Sequence, residues 1–190
     1  MSQDSFKSPK KLLALSGSTR QYSSNLGLIH AIQEQFASEL AISIFNGLAD
    51  IPHFNPDHDN ENPPAEVTAF RKQLKDTDAV LICTPEYAMG VPGTLKNAID
   101  WTVSSMEFSH KPVALITASS SGKKAHLSLL DTLRVIECDI PDSSQLLISF
   151  IKTKIKDDQI IDPPTLDQVK KVVESLINSI DASKRMPLAD

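Results

Sequence analysis

The sequence predicts an α/β fold in which one parallel sheet carries helices on both faces. Three observations lead there. Five short runs of aliphatic and β-branched residues alternate with five stretches of helical apolar spacing. The strand runs are nearly continuous in apolar residues, as strands covered on both sides should be. Three of them end in loops rich in Gly, Ser or Pro, at the edge where a parallel sheet presents its ligands.

The elements follow in order. Lys11–Ser16 is the first strand, with Leu12, Leu13, Ala14 and Leu15 in a row. Leu26, Ile29, Ile32 and Phe36 then recur at helical spacing, to an end near Leu40. Ser23, Ser24 or Asn25 would cap this helix, since each side chain can accept from a first-turn N–H. Ala41–Phe45 is the second strand, and Asp50–Asn62 is a long loop. Pro63-Pro64 open a helix that faces inward through Val67, Phe70 and Leu74, proline being tolerated in a first turn. Ala79–Cys83 form the third strand, which Pro85 stops because it has no N–H for the ladder. Glu86–Gly93 are a loop and Thr94–Val103 a helix, with Leu95 and Ile99 inward. Lys111–Thr117 is the fourth strand; Leu127, Leu130, Leu133 and Ile136 mark the fourth helix. Ser144–Ile151 is the fifth strand, Lys152–Asp162 read as charged and irregular, and Leu166 to about Ile180 form the last helix.

Five strands in 190 residues favour a flavodoxin-like three-layer α/β/α sandwich, order 2-1-3-4-5, over a six-stranded dinucleotide fold. Strands one, three and four are then neighbours at the sheet centre, and their loops converge on one crevice. Residues 11–183 make a single domain in this reading. Residues 1–10 are a mobile N-terminal tail, and 184–190 are a C-terminal tail.

Composition narrows the function. A net charge of −5 opposes a general nucleic-acid or anionic-membrane binder, which needs a basic face. No apolar stretch approaches the ~18 residues of a membrane span, and the N-terminus lacks the apolar core of a signal peptide. Cys83 and Cys138 are too few for a disulfide framework and fit a reducing, cytoplasmic setting. His53, Asp57, His58 and Asp59 are metal-ligand types, but they sit on a Pro/Asn-rich loop without metal-type spacing, so no metal site is expected. Ser18 has neither a Gly-x-Ser-x-Gly frame nor a histidine partner for hydrolysis.

The first loop, Gly17 to Asn25, is built like a phosphate cradle. A helix N-terminus presents unpaired N–H groups and a positive dipole end. Ser18, Ser23 and Ser24 add hydroxyl donors, and Arg20 adds a planar charged fork. It is not a P-loop, for it lacks Gly-Lys-Ser/Thr. The same residues also fit an ordinary serine-rich cap with a solvated arginine. The fourth-strand loop, Ala118 to Lys124, fits a plain flexible turn equally well.

Two motifs resemble a known family, the NADPH-dependent FMN reductases, which include quinone, azo-dye and chromate reductases. One is Gly17-Ser18-x-Arg20-x-x-Ser23-x-Asn25. The other is Thr84-Pro85-Glu86-Tyr87-x-x-x-Val91-Pro92-Gly93-x-Leu95-Lys96-Asn97-Ala98-Ile99-Asp100-Trp101. Ile51-Pro52-x-Phe54-Asn55 adds to it, and the likeness runs from about Leu12 to Phe150.

The resemblance implies that Ser18, Arg20, Ser23 and Asn25 hold an FMN phosphate, with backbone contacts from Ser24. Pro85, Glu86 and Tyr87 would line the isoalloxazine, and the backbone of Ala88, Met89 and Gly90 would face its polar edge. Ser119, Ser120, Ser121 and Gly122 would flank its other side. Tyr87 fits equally well as a donor to flavin or substrate and as a hydrophobic wall with a wet hydroxyl. Hydride would pass from NADPH or NADH through FMN to a flavin, quinone, azo or similar acceptor, with no side chain needed as nucleophile or base. A homodimer or homotetramer is implied as well. An FMN-binding electron carrier or flavin sensor is the alternative. Lys96, Asn97, Asp100 and Trp101 read as packing or interface residues. The chain departs from the family where Ala88 replaces a common Asn, and where Gly122-Lys123-Lys124-Ala125 replace a Gly-Gly-Arg-Ala ending.

Overall fold

The computed structural model describes residues 8–185; residues 1–7 and 186–190, which belong to the expected tails, lie outside the described residues. Strand β1 (Lys10–Ser16) is followed by α1 (Ser24–Gln35), β2 (Leu40–Phe45), α2 (Ala65–Lys75), β3 (Ala79–Thr84) and α3 (Gly93–Asp100). Then come β4 (Val113–Ser119), α4 (Lys123–Val135), β5 (Gln145–Ser149), β6 (Ile155–Lys156), β7 (Gln159–Ile160) and α5 (Pro163–Ser183). The main sheet is parallel throughout, in the expected order β2-β1-β3-β4-β5.

Alternation along each strand builds a core on both faces of the sheet. Leu12 and Ala14 of β1 pack with Leu28 and Ile32 of α1 and Val173 and Leu176 of α5. Leu13 and Leu15 pack with Phe70 and Leu74 of α2, Leu95 of α3 and Leu133 of α4. Helix starts follow local chemistry. Ser23 Oγ accepts from Leu26 N at 3.1 Å, and Asp162 Oδ2 accepts from Thr165 N at 3.0 Å, ahead of Pro163-Pro164.

Several boundaries differ from the sequence reading. Lys10 is already in β1, paired with Leu40, and Lys184 caps α5 and reaches Asp78 at 2.9 Å, so neither is tail. Helix α1 stops at Gln35, because the chain turns between Phe36 and Glu39 to enter β2. Helix α3 ends at Asp100, with Trp101 as its C-cap. Trp101 is fully buried, and its Nε1 donates to Pro52 O at 2.8 Å. Asn97 receives Phe54 N at 2.7 Å and gives Nδ2 to Pro52 O at 2.9 Å, so the long loop is strapped to α3. Within that loop Asp59 pairs with Arg71 at 2.7 Å.

The largest difference lies at residues 152–162. This stretch is ordered by a short 3₁₀ turn, Ile151–Thr153, and by the antiparallel pair β6–β7. The hairpin turns on Asp157 and Asp158, at φ 48° and 57°. Both central residues of a type I′ turn need positive φ, and Asp-Asp is a weak signal beside Asn-Gly. Asp158 reaches α1, with Oδ2 at 2.7 Å from His30 Nδ1. Gly27 makes room for it: a Cβ there would lie 2.7 Å from Asp158 Oδ1.

Where β1 and β3 end, Gly17 N donates to Cys83 O at 2.8 Å. A Cβ on Gly17 would stand 2.2 Å from Thr84 Oγ1 and 2.7 Å from Thr84 Cβ. Gly17→Ala should therefore push the strand ends apart and lower unfolding free energy by about 1–3 kcal/mol, as overpacking does. Urea unfolding measures this; an unchanged midpoint would contradict the contact.

Candidate functional site

The carboxyl ends of the central strands open into one cavity of about 390 Å³, within the roughly 300–1,000 Å³ of small-molecule sites. From the first loop it is lined by Ser18, Arg20, Ser23, Ser24 and Asn25, all of them expected, and by Tyr22. Ser18 is buried, and its Oγ lies 3.1 Å from Tyr87 Oη, so the first and third loops meet directly. Arg20 is exposed, and its guanidinium has no partner among the described residues. Its backbone N–H donates to Ser18 Oγ at 3.4 Å. The N–H groups of Ser24 and Asn25 in the first turn of α1 also lack partners among the described residues.

Asn25 carries an unusual demand. It is 4% exposed, and its Nδ2 donates to Ala118 O on β4 at 3.1 Å. Its Oδ1 is buried with no hydrogen-bond partner. A buried amide oxygen left unpaired costs about 1–3 kcal/mol, so this atom has an open place for a donor from a bound group or a water.

From the third loop, Pro85, Glu86 and Tyr87 line the cavity. Glu86 does more than line it. Its Oε1 accepts from Gly122 N at 3.3 Å and its Oε2 from Ala125 N at 2.9 Å. The carboxylate thus caps the N-terminus of α4, whose own N-cap, Gly122, has no side chain to offer and sits at φ 89°. Glu86 N donates to Ser119 Oγ at 3.3 Å, a second tie between these loops.

Ala88, Met89 and Gly90 do not line the cavity. They form a tight turn closed by Tyr87 N to Gly90 O at 3.0 Å and Gly90 N to Tyr87 O at 2.9 Å. Ala88 and Met89 take φ values of 47° and 61°, which L side chains adopt only under strain. Their N–H groups have no partner among the described residues.

From the fourth loop, Ser119 and Ser120 line the cavity with Ala118. Ser121 and Gly122 stand behind them: Ser121 O accepts from Ser149 Oγ at 3.1 Å, and Gly122 is buried against Leu147 and Thr117. Beneath this loop lies His126, buried, with Nδ1 2.9 Å from Thr117 Oγ1. Burial pushes its pKa down, and a hydrogen bond to Gln145 only partly offsets that.

A fourth wall comes from Phe150, Ile151, Lys152 and Thr153, after β5. Sequence reasoning assigned nothing there. The one signal was topological: strand five lies beside strand four, so its loop lies beside the fourth loop. Tyr22 was missed although it sits inside the first motif.

Comparison with known proteins agrees with this fold. The sequence model of the family described as NADPH-dependent FMN reductase matches residues 10–153. NADH:(hydroxy)cinnamate reductase subunit CrdA of Vibrio ruber is 28% identical over 172 residues, covering 87% of this chain and 84% of that protein. Quinone reductase of Escherichia coli is 29% identical over 167 residues, covering 84% and 89%. The solved structure of FerB, a flavoenzyme NAD(P)H:(acceptor) oxidoreductase from Paracoccus denitrificans, matches with a TM-score of 0.79. It covers 91% of this chain and 98% of that one at 24% identity, a likeness of fold.

Glu86→Ala should cost about 1–2 kcal/mol of stability by uncapping α4, and Glu86→Gln less, as thermal unfolding would show. Equal stability of all three proteins would remove the cap from the account. His126 supplies a pH dependence of known sign. Its folded pKa lies below the unfolded value of about 6.5, so its contribution is whole above that pH and falls as pH drops through the folded pKa. Denaturant titrations over this range should lose part of their pH slope in His126→Gln.

Proposed function

The chain belongs to the NADPH-dependent FMN reductase family, and from that premise we propose that it seats FMN in this cavity and reduces small quinone-type acceptors. The observation that carries the reading is the union of an open α1 N-terminus, a hydroxyl-rich loop and the unpaired Asn25 Oδ1 in a single cavity. The first two fit the phosphate of a flavin mononucleotide, and the third fits its ribityl chain.

The phosphate belongs on the Ser24 and Asn25 N–H groups, with the Ser18 and Ser23 hydroxyls and the Arg20 fork around it. Asn25 takes a different part from the one its motif implies. A phosphate dianion offers acceptors only, whereas the buried Oδ1 needs a donor. A hydroxyl of the ribityl chain supplies one. Asn25 then fixes the sugar while its Nδ2 holds α1 to β4.

Pro85 and Tyr87 wall the ring on one side, and Ser119 and Ser120 on the other. The unpaired Ala88 and Met89 N–H groups stand next to Tyr87, ready to donate to a polar ring edge. When bound, FMN supplies the redox chemistry, taking hydride from a reduced nicotinamide and delivering reducing equivalents to the acceptor. The protein's part is to orient and to stabilise developing charge with donors already in place. Tyr87 and Phe150 are 47% and 69% exposed at the cavity. That aromatic surface suits a flat acceptor such as a quinone, and the Escherichia coli relative bears the name quinone reductase.

Anaerobic mixing tests the proposal. Purified protein should be yellow, should bleach with NADPH or NADH, and should recover its colour on addition of a quinone. Protein that holds no flavin, or flavin that neither nicotinamide bleaches, would overturn it.

A further inference from the structure

We propose that Lys152, on the turn after β5, is a second cationic ligand of the FMN phosphate, acting together with Arg20. The inference rests on the reading above and concerns a segment outside both sequence motifs.

The backbone places the residue. Phe150 leaves β5 at φ 55°, a left-handed conformation that turns the chain back over the sheet edge. Phe150 N donates to Ser120 O at 3.3 Å, anchoring the turn to the fourth loop. Thr153 closes it by giving N–H and hydroxyl to Phe150 O at 3.0 and 2.9 Å, and Ile151 is buried in the core. Beyond the turn, Asp158 is fixed on His30 and against Gly27, on the flank of α1. Residues 151–153 therefore cross from the end of β4 toward the first turns of α1. That is the phosphate end of the cavity.

Charge selects the ligand. Three charged residues line the cavity: Arg20, Glu86 and Lys152. Glu86 is committed to the N-terminus of α4. Lys152 is exposed and, like Arg20, has no hydrogen-bond or ion-pair partner among the described residues. Two uncommitted positive charges remain beside the open N-terminus of α1. A phosphomonoester carries about −1.5 to −2 at neutral pH, so the pair matches it. The flexible ammonium acts as a point charge while the guanidinium supplies the directed fork.

The 2′-phosphate of NADPH is the other phosphomonoester available, and the test separates the two. Full-length protein carrying FMN or riboflavin is diluted, and flavin release is read from recovered fluorescence. Lys152→Gln should weaken FMN about 5- to 20-fold and leave riboflavin unchanged. It should also reduce the salt dependence of FMN retention, and Lys152→Arg should restore most of the affinity. Equal weakening of FMN and riboflavin would mean a packing role and overturn the proposal. So would unchanged FMN retention with a raised KM for NADPH but not NADH. Arg20→Ala separates the two readings. If it releases FMN and Lys152→Gln does not, only the Lys152 assignment falls. If the unaltered protein retains neither flavin, the FMN reading falls as well.

Discussion

The site exists because β1, β3 and β4 run parallel and end in step. Ser16 pairs with Cys83, and Thr84 with Thr117. Each strand therefore releases its loop at the same edge of the sheet. Loops separated by nearly 70 residues in sequence then touch, Ser18 to Tyr87. The contact is tight enough that position 17 has no room for a side chain beyond hydrogen. A slip of one residue would move every side chain of a strand to the opposite face, into the packing of the other core, so the two buried cores also fix where the loops emerge.

Of the helices that begin at this edge, α1 and α4 are tied to the cavity, and the protein treats their N-termini oppositely. The N-terminus of α4 is filled from within by the Glu86 carboxylate. The N-terminus of α1 is left with one side-chain cap, Ser23, and with open N–H groups at Ser24 and Asn25. Both termini carry the same partial positive charge and would attract anions alike. Neutralising the α4 terminus leaves the α1 terminus as the open one in the cavity. The same carboxylate locks the third loop onto the fourth, so charge placement and loop geometry follow from one side chain.

Three of the eight non-glycine residues at positive φ among the described residues lie in turns that form or adjoin the cavity. Ala88, Met89 and Phe150 all sit at positive φ, at a cost of about 1–2 kcal/mol each for ordinary side chains. Each is held by identifiable neighbours: the reciprocal Tyr87–Gly90 pair for the first two, and Ser120, Thr153 and buried Ile151 for the third. In both places the strain reverses the chain at the cavity. At Ala88 and Met89 it leaves N–H groups unpaired; at Phe150 it brings Lys152 to the lining.

Strand and helix identities, the two-faced core and the first loop were legible in the sequence because they depend on local spacing and side-chain type. The run Leu12 to Leu15 suits a doubly covered strand, and a cap is expected at Ser23, Ser24 or Asn25, of which the structure uses Ser23. The separate jobs of neighbouring site residues were not legible. Glu86 looks like a cavity residue until α4 arrives to take its carboxylate. Asn25 is only a polar motif residue in the sequence; Ala118 fixes its amide nitrogen and leaves its oxygen unpaired. The turn after β5 carries no motif, and it becomes part of the site only because β5 lies beside β4. Sequence settles what each segment can form; which groups remain unpaired, and so what the cavity can bind, depends on partners brought from far along the chain.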